Sequence, residues 1–323
     1  MTAFLDQAGW GQATQTPLAG DASSRRYKRL TQNGDSAILM EDPDGDVALF
    51  ARLSNHLLDL GLSAPKIYAQ APGLLLIEDL GDGLIARLST APQQEKPLYL
   101  AAVDALVELH QHPAPADIPT ASPDVLAQMI DVAFDCYANG AGCKESDAKD
   151  ATIQTFTPIL ESYAPAQNIM ILRDYHAENI LWLPNRDGPA RAGLLDFQDA
   201  LVGHPAYDLV SLIQDARRDV SPATSEACIA HYLQHASVEE TAFRTSLFVL
   251  GAQRNLRILG VFARLAATRG KPQYIDMIPR VWHHLQTDLQ HPVLAPIKSI
   301  LDSALPAPSA DILQRLKTPC PTQ

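Results

Sequence analysis

Near residue 80 the spacing of apolar residues changes, and that change limits the fold to a strand-rich segment joined to a helical one. Before it, apolar residues come in short runs cut by turn signals. Tyr27 to Thr31 and Ser36 to Met40 flank Gln32-Asn33-Gly34-Asp35, and Asn-Gly between two such runs predicts a two-residue hairpin turn. Lys66 to Ala71 and Leu74 to Ile77, parted by Pro72-Gly73, predict a second hairpin. Between the hairpins, Asp46 is an N-cap candidate for a helix that aligns Phe50, Leu53, Leu57 and Leu60 and closes at Gly61.

After Gly81-Asp82-Gly83 helical spacing takes over. Leu98, Ala102, Leu106 and Leu109 mark one amphipathic helix and Ser122 to Tyr137 another, parted by a Pro-rich loop. Short strands are expected at Asn168 to Leu172, Ile180 to Leu183 and Gly193 to Leu195, and helices from Asp208 to about Gln290. The Pro/Ala-rich tail from Leu305 is expected to fray. The fold class is therefore α+β in two lobes: a small sheet-rich one over residues 1–80 and a larger helical one over residues 81–323.

Charge narrows the partners. Lys and Arg number 25 against 37 Asp and Glu, a net −12, which excludes neither enzyme nor scaffold but argues against nucleic acid and a polybasic membrane anchor. No apolar stretch approaches the length of a bilayer span, no secretory signal is expected at the start, and Cys136, Cys143, Cys228 and Cys320 include no C-x-x-C pair. A cytosolic chain with free thiols is expected. The charge is unevenly spread, because residues 241–275 hold Arg244, Arg254, Arg257, Arg264, Arg269 and Lys271 with no acid, leaving −12 − 6 = −18 elsewhere. Arg254, Arg257 and Arg264 share one helix face among apolar neighbours. A guanidinium buried there needs an anion, either a carboxylate of the chain or an anionic group of a substrate. Arg217 and Arg218 read as a solvated helix end.

The chemistry concentrates in Leu172-Arg173-Asp174-Tyr175-His176-Ala177-Glu178-Asn179-Ile180-Leu181-Trp182-Leu183 and Gly193-Leu194-Leu195-Asp196-Phe197-Gln198-Asp199. An aspartate, an asparagine five residues on, and a second aspartate after a returning strand supply a base for an attacking hydroxyl and two oxygen donors for Mg²⁺. At these residues the chain resembles the aminoglycoside phosphotransferase-like family, relatives of protein and choline kinases. The resemblance runs from Leu18 to about Pro292 and implies a two-lobed protein-kinase-like fold and an ATP- and Mg²⁺-dependent phosphotransferase. It implies that Asp174 is the catalytic base and that Asn179 and Asp196 are the metal ligands. By the same resemblance Asp208, in Gly203-His204-Pro205-Ala206-Tyr207-Asp208-Leu209, braces the catalytic loop. Glu78 and Leu80, in Leu75-Leu76-Ile77-Glu78-Asp79-Leu80-Gly81, would lie in the hinge that meets adenine.

A closer resemblance, carried by Gly20-Asp21-Ala22-Ser23-Ser24-Arg25-Arg26-Tyr27, Leu194 to Asp199, Tyr207 to Val220 and Gly251 to Arg257, is to bacterial kinases acting on the anomeric hydroxyl of N-acetylated amino sugars in cell-wall recycling. It implies an amino-sugar substrate, N-acetylmuramate or N-acetylglucosamine, with Arg254 and Arg257 as candidates for an acidic substituent such as the lactyl carboxylate of N-acetylmuramate. An aminoglycoside O-phosphotransferase and a non-catalytic nucleotide-binding module are the alternatives. The chain departs from the pattern in places. Leu172 stands where a histidine is usual and Gln198 where D-F-G has glycine. Met40 falls where V-A-I-K would supply a phosphate-binding lysine, and no glutamate lies between Val47 and Leu60 to pair with one. Arg26 or Lys28, assisted by Ser23, is the expected replacement.

Overall fold

A computed structural model describes residues 1–18, 25–143 and 147–318. Two compact units interleave along the chain, residues 1–115 with 177–200 and residues 116–176 with 201–323.

The first unit begins with α1 (Thr2–Gln7), β1 (Thr14–Leu18), β2 (Arg26–Gln32) and β3 (Asp35–Glu41). Next come α2 (Val47–Asp59), β4 (Ile67–Ala71) and β5 (Leu74–Glu78), and the strands form one antiparallel sheet in the order β1-β2-β3-β5-β4. Both hairpins form where their turn residues place them. Asn33 (φ 54°) and Gly34 (φ 92°) take the left-handed conformation that a type I′ turn demands at both central positions. Pro72 and Gly73 join the paired residues Ala71 and Leu74. β1 has no apolar alternation to announce it, since Thr14-Gln15-Thr16-Pro17-Leu18 is an almost wholly exposed edge strand.

Side-chain alternation divides the sheet into two faces. On one, Leu30, Ala37, Leu39 and Leu76 cluster with Leu5 of α1, each fully buried Leu contributing roughly 1.5–3 kcal/mol relative to exposure. On the other, Met40 lies opposite Tyr27 and is 1% exposed. Asp46 caps α2 by accepting the Leu49 N–H at 2.8 Å, and the helix buries Phe50, Leu53 and Leu57. α3 (Ile85–Leu88) and α4 (Pro92–Leu109) complete this part of the unit, α4 burying the expected Leu98, Ala102, Leu106 and Leu109. Residue 80, where the sequence changes texture, falls inside the first unit.

The second unit opens with α5 (Pro123–Gln128), capped by the Ser122 hydroxyl on the Val125 N–H. The single helix expected from Ser122 to Tyr137 is broken. The Asp131 carboxylate takes the Val132 N–H at 2.6 Å, and the chain resumes as a π-helical stretch, Ala133–Ala138. α6 (Ala148–Tyr163) and β6 (Ile169–Ile171) follow. The chain then re-enters the first unit through a 3₁₀ turn, Ala177–Asn179, and the hairpin of β7 (Ile180–Trp182) and β8 (Ala192–Leu194). β9 (Leu201–Gly203) returns to the second unit and pairs with β6.

Helices complete the chain: α7 (Ala206–Ile213), α8 (Pro222–His235), α9 (Glu240–Arg269), α10 (Ile278–Asp288), α11 (Ala295–Ala304) and α12 (Ala310–Lys317). The tail does not fray over the described residues. Leu305 and Leu316 are buried, the Tyr137 hydroxyl donates to the Pro306 carbonyl at 2.7 Å, and Ser309 caps α12. Its proline and alanine content masked the amphipathic spacing of Ile312, Leu313 and Leu316. Cys320 lies outside the described residues; Cys136, Cys143 and Cys228 are free thiols. Among the described residues no helix is long and apolar enough to cross a membrane.

Candidate active site

In the second unit, the loop after β6 is held from below by α7. Asp208 is fully buried, and its two carboxylate oxygens accept the backbone N–H groups of Leu172 (2.6 Å) and Arg173 (2.8 Å). One turn on, the Ser211 hydroxyl donates to the Arg173 carbonyl at 3.0 Å. Arg173 needs this hold because its φ of 69° is left-handed, a conformation costing about 1–3 kcal/mol for a residue with a side chain. The result is an exposed Asp174 followed by buried Tyr175 and His176.

Burial raises the Asp208 carboxyl to about 7, although the two N–H groups and Arg254 favour its charge. His176 is held well below the usual imidazole range, first by burial and then by Arg217 and Arg254. As a neutral ring its Nε2 accepts from Arg217 Nη1 at 2.9 Å. Arg217 is therefore half-buried support for the loop and not the solvated helix end its sequence suggested.

The two arginines singled out on α9 separate. Arg254 is buried at 5% exposure, its Nη1 has no hydrogen-bond partner among the described residues, and its charge acts on Asp208. It is the internal countercharge of that carboxylate. Arg257 is half-buried and held below its usual range by burial, with Tyr207 and Asp174 opposing the shift and Arg173 and Arg264 adding to it. The Asp174 charge therefore acts on Arg257.

In the first unit, the Asn179 carbonyl accepts the Leu195 N–H at 3.0 Å, which ties the end of the 3₁₀ turn to the segment leaving β8. Asn179 Nδ2 then lies 3.4 Å from Asp196 Oδ2. Gln198 Nε2 donates to Asp196 Oδ1 at 3.0 Å, and Arg25 Nη1 does so at 3.2 Å. Asp196 also has a left-handed φ of 57°. Besides the turn residue Asn33, the described non-glycine residues with positive φ are Arg173 and Asp196, so backbone strain falls beside the base candidate and on a ligand candidate. The Asp196 side chain is 43% exposed, open enough to receive an ion, and an amide beside a carboxylate is the hard-oxygen chemistry that Mg²⁺ takes.

The remaining candidates are scattered. Glu78 Oε1 is engaged by Arg186 at 2.7 Å and its Oε2 accepts the Lys66 N–H, so its carboxylate is structural. The backbone N–H and C=O of Leu80 make no hydrogen bond among the described residues, as a hinge that pairs with a ring edge requires. Arg29 clasps Asp79 (2.7 Å) and Asp82 (2.9 Å) beside that hinge. Arg26 is exposed, Lys28 pairs with Glu41 at 2.7 Å, and Ser23 lies outside the described residues. Sequence reasoning missed Arg25, His176, Ser211 and the role of Arg217. Arg25 emerges only once the register of β2 is known, which puts Arg26 and Lys28 on the face of Leu30 and Tyr27 on the other.

An antiparallel sheet unit followed by a helical unit is the layout of kinase-like phosphotransferases. The chain belongs to the phosphotransferase enzyme family, whose family model matches residues 14–244. It is 38% identical to the N-acetylmuramate/N-acetylglucosamine kinase of Caulobacter vibrioides, across 94% of this chain and 95% of that protein. A kinase of the same name from Pseudomonas putida is 29% identical, across 92% of this chain and 91% of its own. Solved structures share the fold at low identity. A choline/ethanolamine kinase family protein from Mesorhizobium loti superposes with a TM-score of 0.63 at 16% identity, covering 94% of this chain and all of that one. A choline kinase from Cryptosporidium parvum gives 0.62 at 11% identity, covering 92% and 98%.

Proposed function

We propose that this phosphotransferase moves the γ-phosphoryl group of ATP, with Mg²⁺, to the anomeric hydroxyl of N-acetylmuramate or N-acetylglucosamine. The observation that carries the acceptor is the 38% identity to a kinase of that name across 94% of the chain. The nucleotide and its metal, when bound, supply the phosphoryl group and a charge that offsets the phosphates.

Asp174 accepts the proton of the attacking hydroxyl. An anomeric hydroxyl is more acidic than an ordinary alcohol, so an exposed carboxylate is base enough. Asp208 keeps the loop in register through Leu172 and Arg173, and Ser211 and Arg217 hold its flanks. Asn179 and Asp196 would hold the metal, and the backbone at Leu80 would meet the base of the nucleotide. Arg257, beside Asp174, suits an acidic substituent on the acceptor. Arg254 is too deeply enclosed for that task and acts through Asp208. With ATP as its phosphoryl donor, the enzyme would act in the cytosol.

The test is a coupled ADP-release assay over an acceptor panel. Turnover is expected with N-acetylmuramate and N-acetylglucosamine and not with kanamycin-like amines. Turnover with the amines alone would transfer the chain to antibiotic modification, and ADP release with no acceptor in the panel would remove the sugar assignment.

A further inference from the structure

Arg25 lies at the entry to β2, with its side chain 12% exposed. Among the described residues, three groups lie around its guanidinium. Asp42 Oδ2 is 3.6 Å from Nε, while Asp196 Oδ1 lies 3.2 Å and the Tyr27 hydroxyl 3.5 Å from Nη1. Asp42 is itself 9% exposed, so the carboxylate on Nε is a fixed support and the Nη end of the fork projects towards the half-open Asp196.

The placement matters because, among the described residues, the other cations of β2 and of the neighbouring loops are engaged elsewhere or face away. Met40, opposite Tyr27 on β3, is apolar and buried. Lys28 is on the other face of β2 in an ion pair with Glu41, and Arg29 is divided between Asp79 and Asp82. Arg186 is occupied by Glu78 and Ser63. Among the described residues, Arg25 is therefore the cation that reaches the metal-ligand candidate, and it rests on the carboxylate oxygen that a metal-bound nucleotide would claim.

We infer that Arg25 is the phosphate-binding cation of this enzyme, stationed on Asp196 and steadied by Asp42, and that it passes from Asp196 to the nucleotide phosphates when Mg²⁺·nucleotide binds. The inference rests on the phosphotransfer reading above. Arg25 and Asp42 together do the work of a lysine–glutamate pair that β3 and α2 lack. A guanidinium suits the exchange, since its planar fork fits carboxylate and phosphate oxygens alike.

Calorimetric titration of the full chain with Mg²⁺·ADP, without acceptor, tests this directly. Arg25→Met is expected to weaken binding by about 10- to 100-fold, the size of one lost charge-assisted hydrogen bond or two. Arg25→Lys, which keeps the charge, should recover most of the loss, and Asp42→Asn should weaken binding by a smaller factor. Circular dichroism melts establish that each variant is folded. Unchanged or tighter binding by folded Arg25→Met would overturn the inference, as would a large loss in Lys28→Met with none in Arg25→Met. A wild-type chain that binds no nucleotide would overturn the phosphotransfer reading itself and this inference with it.

Discussion

Asp174 owes its exposure to neighbours that are not exposed. Asp208, Ser211 and Arg217 fix the backbone and the buried His176 around it, so replacing the Asp174 side chain should leave the loop in place. Asp174→Asn is expected to lower kcat by about 10²- to 10⁴-fold, the usual contribution of a positioned base, with the melting temperature and Mg²⁺·ADP affinity unchanged. Steady-state kinetics beside a calorimetric titration check this, and full activity would remove the assignment. Asp208→Asn should behave differently. An amide has one acceptor oxygen for two N–H donors, so one of Leu172 and Arg173 loses its partner at a cost of about 1–3 kcal/mol. Loss of stability in urea together with reduced kcat is the expected outcome. Asp174, Asn179, Asp196 and Asp208 were legible in the sequence because type and spacing within short segments identify them. Arg25 was not, because choosing it over Arg26 requires the strand register, and a shift of one residue exchanges the faces. His176 looked like any loop histidine until its burial was known.

The element that organises the second unit is α9, thirty residues long and buried on nearly every side through its middle. It passes close to a neighbour at Gly260, where an added Cβ would lie 2.1 Å from the carbonyl carbon and oxygen of Val132. Those are backbone atoms and cannot rotate away. Alanine at an exposed helical glycine normally stabilises, by about 1 kcal/mol. Here the sign should reverse, and Gly260→Ala is expected to cost about 1–3 kcal/mol through overpacking, seen as a lower urea midpoint at unchanged slope. The same region explains why the stretch from Ser122 to Tyr137 defeated periodicity. Its apolar residues keep helical spacing, but the Asp131 carboxylate takes the Val132 N–H and α9 backs onto the interruption. Both hairpins and α2 were readable because their boundaries are written in Asn-Gly, Pro-Gly and an Asp cap. β1 and β9 were not, since an exposed edge strand and a three-residue strand owe their existence to the partner they pair with.

At the scale of the molecule, the buried titratable groups set a pH range for the fold. His204 and His284 are lowered to about 4 by burial, and His176 is also held well below its usual range. Their neutral forms are native, so their contribution is present above about pH 6.5 and is lost as pH falls towards 4. Asp208 and Asp288 act in the other direction, raised by burial to about 7 and about 8. A carboxyl raised in this way contributes stability that is complete below the ordinary carboxyl value and is lost as pH rises through 7 to 8. Stability should therefore peak in the mildly acidic range and decline on both sides. Asp288 separates the alkaline limb from the rest, because it lies far along the chain from the catalytic loop and holds Gln214 (2.8 Å) and Asn255 (3.1 Å). An asparagine there cannot ionise. Urea unfolding of Asp288→Asn between pH 5 and 8 should lose stability more gently than the wild type, by up to about 1.4 kcal/mol per pH unit, the slope of a single proton. Equal slopes would mean that Asp288 is already charged in the folded protein, and that the net charge of −12 extends into its core.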